Sequence, residues 1–262
     1  MKTPLIYYGG KTMLLQHILP LIPTHITYCE PFLGGGAIFW AKEISTIEVI
    51  NDTNGQVVNF YRVLKNNFKN LKEKIDATLY SRAIYKTALC IYHAPYLFDS
   101  ITCAWSLWIL ITQGFSGTIG SWSFDKKNKK TKAFHTKKLN FTEALSHRLD
   151  KVVIEHHDAL HIIYLRDSPE TFFYIDPPYM DANQGHYNGY TEQQFMSLLD
   201  ILSNIKGKFL LSCYPSDFIT EYINRNKWSV KSIEKTITAN RVSKQEKREK
   251  KTELLIANYP LV

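Results

Sequence analysis

A hydrophobic strand that ends on an acid and runs into a glycine-rich loop leaves a chain few folds to choose from. Residues 26–30 (Ile-Thr-Tyr-Cys-Glu) read as such a strand, followed by Pro31-Phe32-Leu33-Gly34-Gly35-Gly36. A stretch of helical character over 37–42 and a second strand over 46–50, stopping at Asn51-Asp52, come next. The polar turn Thr53-Asn54-Gly55 then opens an amphipathic stretch with Val57, Val58, Tyr61 and Leu64 on one helical face. Strand, glycine loop, helix, strand and acid in this order begin an open α/β sheet. Glycines at such a junction let a ligand approach the backbone at a helix N-terminus. The dinucleotide fingerprint is half met: Gly34 and Gly36 fit, but its third glycine falls at Phe39. The loop therefore implies a cofactor-binding sheet without specifying NAD. Asp52 stands where an acid bonds ribose hydroxyls or, equally well, caps a turn.

Strand-like segments return at 152–155, 172–175 and 208–213, with helical stretches between them, notably 192–205, and two β-like segments near 228–237 and 252–259. From Asn66 to His147 the character changes to helical, aromatic and basic. This middle holds Trp105, Trp108, Trp122 and the turn-rich Gln113-Gly114-Phe115-Ser116-Gly117-Thr118-Ile119-Gly120. Seven lysines follow in the 13 residues from Lys126 to Lys138. The reading is one α/β domain, 1–65 with 148–262, interrupted by an insert at 66–147. With 262 residues, 45% hydrophobic and 21% charged, the chain can bury a sizeable core and is not a disordered one.

Several classes drop out. No apolar run approaches the roughly 18–20 residues of a membrane span. Met1-Lys2-Thr3-Pro4 leads into foldable sequence without a signal-peptide pattern. Cys29, Cys90, Cys103 and Cys213 are far apart and form no CxxC pair, against both a disulfide framework and a zinc ribbon. A soluble protein of the reducing cytosol is expected. The net charge of +8 suggests a polyanionic partner. Gly10-Lys11-Thr12 is the tail of a phosphate-binding loop, but that motif needs a glycine where the chain has Leu5, so an NTPase is disfavoured. Lys11 either reaches a ligand or ends a solvated turn.

The most specific motif is Phe173-Tyr174-Ile175-Asp176-Pro177-Pro178-Tyr179. A hydrophobic strand ends in an acid, two prolines and an aromatic. The prolines fix φ and push the preceding residue toward extended geometry, so the Asp176 and Tyr179 side chains and the Pro177 carbonyl are held rigidly. A planar heterocycle carrying an amine could stack on Tyr179 while donating its hydrogens to Asp176 and a main-chain carbonyl. Those acceptors would localise the amine lone pair and make it a better nucleophile. Stacking needs the ring, so Tyr179→Phe is expected to retain much activity and Asp176→Ala none.

With these residues in view, the chain resembles the Dam-like class of DNA adenine N6-methyltransferases, in which the glycine-rich motif precedes Asp-Pro-Pro-Tyr. The matching segments are Tyr7–Lys11, Glu30–Ala37, Asn51–Asn54, Asp176–Tyr179, Phe209–Tyr214 and Glu253–Tyr259, in the family's order along nearly the whole chain. The middle segment resembles the phage and mobile-element branch more than the branch that methylates GATC. The resemblance implies a Rossmann-like sheet binding S-adenosylmethionine, released as S-adenosylhomocysteine, with an inserted helical target-recognition domain. It implies a catalytic Asp176-Pro177-Pro178-Tyr179, and cofactor contacts from Tyr7, Lys11, Pro31, Phe32, Gly34, Gly36, Asp52, Asp158 and Asp176.

Double-stranded DNA is the implied partner, with the target adenine flipped from the duplex. Expected groove contacts are Gln113, Ser116, Thr118, Ser121, Lys126, Lys127 and Asn128, with lysines meeting phosphates. A second basic cluster, Arg241 to Lys251, either touches the DNA backbone or only solubilises. No metal is expected: His157 and His161 have i, i+4 spacing beside His156, but a zinc site wants a third strong ligand. A monomer in the cytoplasm of a bacterial or phage-infected cell is expected, with room for a cognate restriction enzyme. The competing classes are a catalytically silent DNA-binding protein and a methyltransferase for RNA or another planar nitrogen. Asp176 favours an adenine-type amine, because glutamine-modifying relatives generally carry Asn there.

Overall fold

The structure, a computed structural model, describes residues 1–7, 9–124, 126–179, 190–236 and 250–261. Tyr8 of the first motif and positions 241–249 of the second basic cluster lie outside the described residues. Seven strands form one sheet: β1 (Thr27–Glu30), β2 (Ile47–Asn51), β3 (Val152–Glu155), β4 (Thr171–Ile175), β5 (Lys208–Cys213), β6 (Ser229–Thr236) and β7 (Lys250–Ala257). Their order is β3-β2-β1-β4-β5-β7-β6. The first five are parallel, with Cys29 beside both Val49 and Phe173, and Phe173 beside Phe209. β7 runs antiparallel to β5 and to β6. The expected strands match these within one to two residues. The later helix stops at Leu202 rather than 205, where the Ser203 hydroxyl returns to the Leu199 carbonyl.

Period-two alternation splits the buried strand residues between two apolar layers. Tyr28, Ile50, Phe172, Tyr174, Leu210 and Leu255 face one cluster, while Cys29, Val49, Phe173, Ile175, Phe209 and Leu211 face the other. Both faces of the sheet are therefore covered, as a parallel sheet requires. On the first face lie α1 (Leu15–Ile18), α2 (Ala37–Ala41), α3 (Gly55–Asn66), α4 (Phe68–Asp76), α5 (Arg82–His93), α6 (Ser100–Gln113), α7 (Lys129–Leu139) and α8 (Ala144–His147). On the second lie α9 (Ala159–Arg166), α10 (Glu192–Leu202) and α11 (Asp217–Asn226). The result is a mixed α/β, Rossmann-like arrangement.

Within the expected insert, α6 is apolar on all sides and buried from Cys103 to Gln113, packing against α3 and α5. Trp108 meets Phe134 and Phe141 at centroid distances of 5.5 and 5.9 Å. The apolar cluster runs without interruption from the sheet into these helices. Among the described residues no helix is long and apolar enough to cross a membrane.

The connection from β1 leads to β2 on one side and that from β4 leads to β5 on the other. In an open sheet such a reversal leaves a crevice at the C-terminal strand ends. Glu30 and Asp176 close those two neighbouring ends.

Candidate active site

The loop after β1 is held in shape by the end of β2. Leu33 N–H donates to the Asn51 carbonyl at 2.9 Å, and the Asn51 side-chain amide donates to the carbonyls of Pro31 (2.9 Å) and His157 (3.0 Å). Asp52 accepts Gly34 N–H at 2.7 Å and Asn54 N–H at 2.8 Å, so its turn-capping role is realised beside the cavity it lines. Gly36, at φ +61°, turns the chain into α2 through the left-handed region. A Cβ on Gly35 would sit 2.3 Å from the Leu5 carbonyl oxygen, so only glycine lets the N-terminal segment close over the loop.

That segment brings Lys11 into the crevice. It is 3% exposed, which removes the solvated-turn reading. Its Nζ lies 2.6 Å from Asp176 Oδ1, 2.7 Å from the Tyr179 hydroxyl and 3.4 Å from Glu253 Oε1. Burial alone would lower the Lys11 pKa, but Asp176, Glu253 and Tyr174 outweigh it, and the ammonium is held charged well above its ordinary range. The Tyr179 hydroxyl donates to Glu253 at 2.5 Å, and its own ionisation is pushed far up by burial and by the carboxylates of Asp176 and Glu253. Its ring stacks on Tyr214 at 4.2 Å and 24°. The ring therefore is not the residue's whole contribution: the hydroxyl links Lys11 to Glu253, and Tyr179→Phe would break that link.

Glu30 lines the same crevice and accepts the Tyr28 hydroxyl at 2.6 Å and Phe39 N–H at 3.2 Å. Burial raises its pKa to about 8, against the downward pull of the Tyr28 hydrogen bond. The hydroxyl of Tyr174, a residue that lines the crevice, is buried and without a hydrogen-bond partner among the described residues. A buried hydroxyl orphaned beside a cavity is what a polar ligand would satisfy.

One cavity of about 260 Å³ gathers every expected cofactor and catalytic position: Tyr7, Lys11, Pro31, Phe32, Gly34, Gly36, Asp52, Asp158, Asp176, Pro177, Pro178 and Tyr179. Asp158 also caps α9, accepting Leu160 N–H at 2.9 Å and His161 N–H at 3.2 Å. The His157 and His161 rings lie 5.4 Å apart, and among the described residues no three His, Cys, Asp or Glu side chains group as metal ligands. Glu253, Ser212 and Tyr214 belong to segments of the resemblance but had no individual role. Glu253 directly precedes the continuous apolar run Leu254-Leu255-Ile256-Ala257, and an acid against such a run is the signal that could have singled it out.

The expected DNA contacts divide. Ser116 and Ser121 are exposed and Thr118 half-buried in the loop after α6, while Lys126, Lys127 and Asn128 are exposed before α7. Gln113 is a correction: it is fully buried and cannot reach a groove. Its amide donates to the Leu79 carbonyl at 3.0 Å and accepts from Ser81 N–H and Trp122 Nε1, so it fastens the loop to the connection between α4 and α5. The lysine run divides too. Lys137 Nζ donates to the Thr112 carbonyl at 3.3 Å, and Lys138 Nζ to Asp76 and Thr78 carbonyls at 2.5 and 3.0 Å, at the C-terminal ends of α6 and α4.

The family model of the D12 class N6 adenine-specific DNA methyltransferases matches residues 7–248. A type II methyltransferase of Lactococcus lactis subsp. cremoris, M1.LlaDCHI, is 26% identical over 270 residues, covering 96% of this chain and 93% of that protein. The modification methylase StsI of Streptococcus sanguinis is 23% identical over 234 residues, covering 80% of this chain and 35% of the methylase. The DNA N-6-adenine-methyltransferase of Escherichia phage P1 shares 37% identity over 57 residues, 22% of this chain and 7% of the phage protein.

Proposed function

The chain belongs to the D12 class of N6 adenine-specific DNA methyltransferases, and we propose that its crevice assigns the parts of that reaction to individual residues as follows. S-adenosylmethionine, when bound, supplies the electrophilic methyl group. The loop Pro31–Gly36, Tyr7, Asp52 and Asp158 line the wall that would hold it, and the unpartnered Tyr174 hydroxyl supports a polar occupant there. Asp176 accepts a hydrogen of the adenine amine while the Pro177 carbonyl takes the other, and the N6 lone pair is thereby turned toward attack. Lys11 holds the carboxylate in place from the protein side. Positive charge forms on N6 during transfer, and the carboxylate stabilises it without having to act as a strong base. Holding amine and methyl donor in line supplies a large part of the acceleration.

An adenine stacked inside a duplex cannot reach this crevice, so the base is flipped out and received beside Tyr179, whose ring is already stacked on Tyr214. Ser116, Thr118, Ser121, Lys126, Lys127 and Asn128 form the DNA-facing edge, lysines to phosphates and the loop to base edges. The enzyme acts as a monomer, since one adenine is modified per event, and a restriction endonuclease of the same specificity would be its natural companion.

The observation that carries this reading is the Lys11–Asp176 pair at the end of β4, inside the cavity that the glycine loop also lines. The experiment is expression in a host without adenine methylation, with modified bases mapped by single-molecule sequencing. N6-methyladenine at one short sequence, absent with Asp176→Ala, is the expected outcome. Unmodified DNA from a folded wild-type enzyme that binds S-adenosylmethionine would defeat the reading.

A further inference from the structure

Strand β7 carries a charge where its neighbours are apolar. Leu254 to Ala257 are buried hydrophobic residues, and Glu253 beside them has no exposed surface at all. A buried carboxylate is costly unless it is paired and hydrogen-bonded. Its Oε1 accepts the Tyr179 hydroxyl at 2.5 Å and the Ser212 hydroxyl, and stands 3.4 Å from Lys11 Nζ. Lys11 Nζ stands 2.6 Å from Asp176, and the Tyr179 hydroxyl accepts from Lys11 while donating to Glu253. One buried ammonium is thus shared between two carboxylates, with a tyrosine hydroxyl bridging it to one of them.

We infer that Glu253 is a positioning residue that governs how far Lys11 neutralises Asp176. An isolated Lys11–Asp176 pair would be electrically balanced. A carboxylate so neutralised is a weak acceptor for an amine hydrogen and a poor counter-charge for the positive N6. With Glu253 drawing on the same ammonium, Lys11 cancels less of the Asp176 charge than an isolated pair would. In a crevice of low local dielectric the charge left on Asp176 acts strongly on the reacting nitrogen. The inference rests on the reading of Asp176 as the group that meets the amine, so Asp176→Ala is measured in parallel.

The test uses the full chain, tritiated S-adenosylmethionine and unmethylated genomic DNA, with enzyme in excess over sites. Glu253→Gln preserves shape and removes the charge. It is expected to slow single-turnover transfer about 10- to 100-fold while cofactor affinity moves less than about twofold. Because the effect runs through the Lys11 charge, Glu253→Gln added to Lys11→Met should lower the rate of Lys11→Met by no more than about threefold. Losses that multiply would assign Glu253 to the scaffold and overturn the inference, as would a wild-type rate in Glu253→Gln. Should Glu253→Gln fail to fold, Tyr179→Phe removes the bridging hydroxyl and keeps the ring. A loss of about 3- to 10-fold is expected there, and an unchanged rate overturns the inference. An active Asp176→Ala defeats the reading beneath it; an inactive Asp176→Ala beside a full-rate Glu253→Gln defeats the inference alone.

Discussion

Glu30 and Asp176 end adjacent parallel strands, yet the two carboxyls live differently. Asp176 keeps its side chain 20% exposed to the crevice and pairs with Lys11. Glu30 is 2% exposed, bonded to a tyrosine hydroxyl and a backbone N–H, and burial raises its pKa to about 8 from 4.5. A raised acid pKa means that the folded state holds the proton more tightly than the unfolded one. The stability this contributes is complete below about pH 4.5 and is lost as pH rises through about 8. Glu30→Gln cannot ionise, so its melting temperature relative to wild type should climb between about pH 5 and pH 9, at roughly 2–4 °C per kcal/mol for a chain of this size. Differential scanning calorimetry at the two pH values decides it. A constant difference would show that Glu30 titrates normally.

At the scale of elements, the lysines in and before α7 divide into two groups by what surrounds them. Lys126, Lys127, Lys129, Lys130 and Lys132 are exposed along and before its first turns, whereas Lys137 and Lys138 turn inward to cap the carbonyl ends of α6 and α4. Burial lowers the Lys137 pKa to about 8, as expected for an ammonium withdrawn from water. The two groups should separate by salt titration. Lys126→Gln with Lys132→Gln should reduce the slope of log affinity for DNA against log salt by about 2. Lys138→Gln should instead lower the melting temperature and leave that slope alone. If Lys138→Gln changed the slope and the first pair did not, the assignment would be reversed. Sequence alone makes all seven lysines equivalent, because which ammonium reaches a carbonyl depends on how α4, α6 and α7 cross.

For the whole molecule, the decisive feature is the apolar cluster that passes from the sheet through α3 and α6 to α7 and α8. Arg148, the first residue past the expected insert, donates to Glu48 of β2 at 2.9 Å and to the Phe39 carbonyl at 3.1 Å, tying the returning chain back to the sheet. Helices 66–147 should therefore unfold with the sheet in one thermal transition. Trp108→Ala should destabilise both by about 3–5 kcal/mol. Helical circular dichroism and cofactor binding followed on one temperature ramp measure this, and two separate midpoints would show an independent insert. Much of this protein was legible in the residues themselves. Strand positions followed from short apolar runs, and the positions that gather in the crevice from the glycine loop and Asp176-Pro177-Pro178-Tyr179, because strand, loop and turn obey local rules of dihedral angle and composition. Tertiary structure alone decided that Lys11 is buried against Asp176, that Gln113 faces inward, and that Glu253 meets the hydroxyl of Tyr179. Those outcomes depend on which segments approach one another across 165, 34 and 74 residues of chain, and no local spacing encodes such distances.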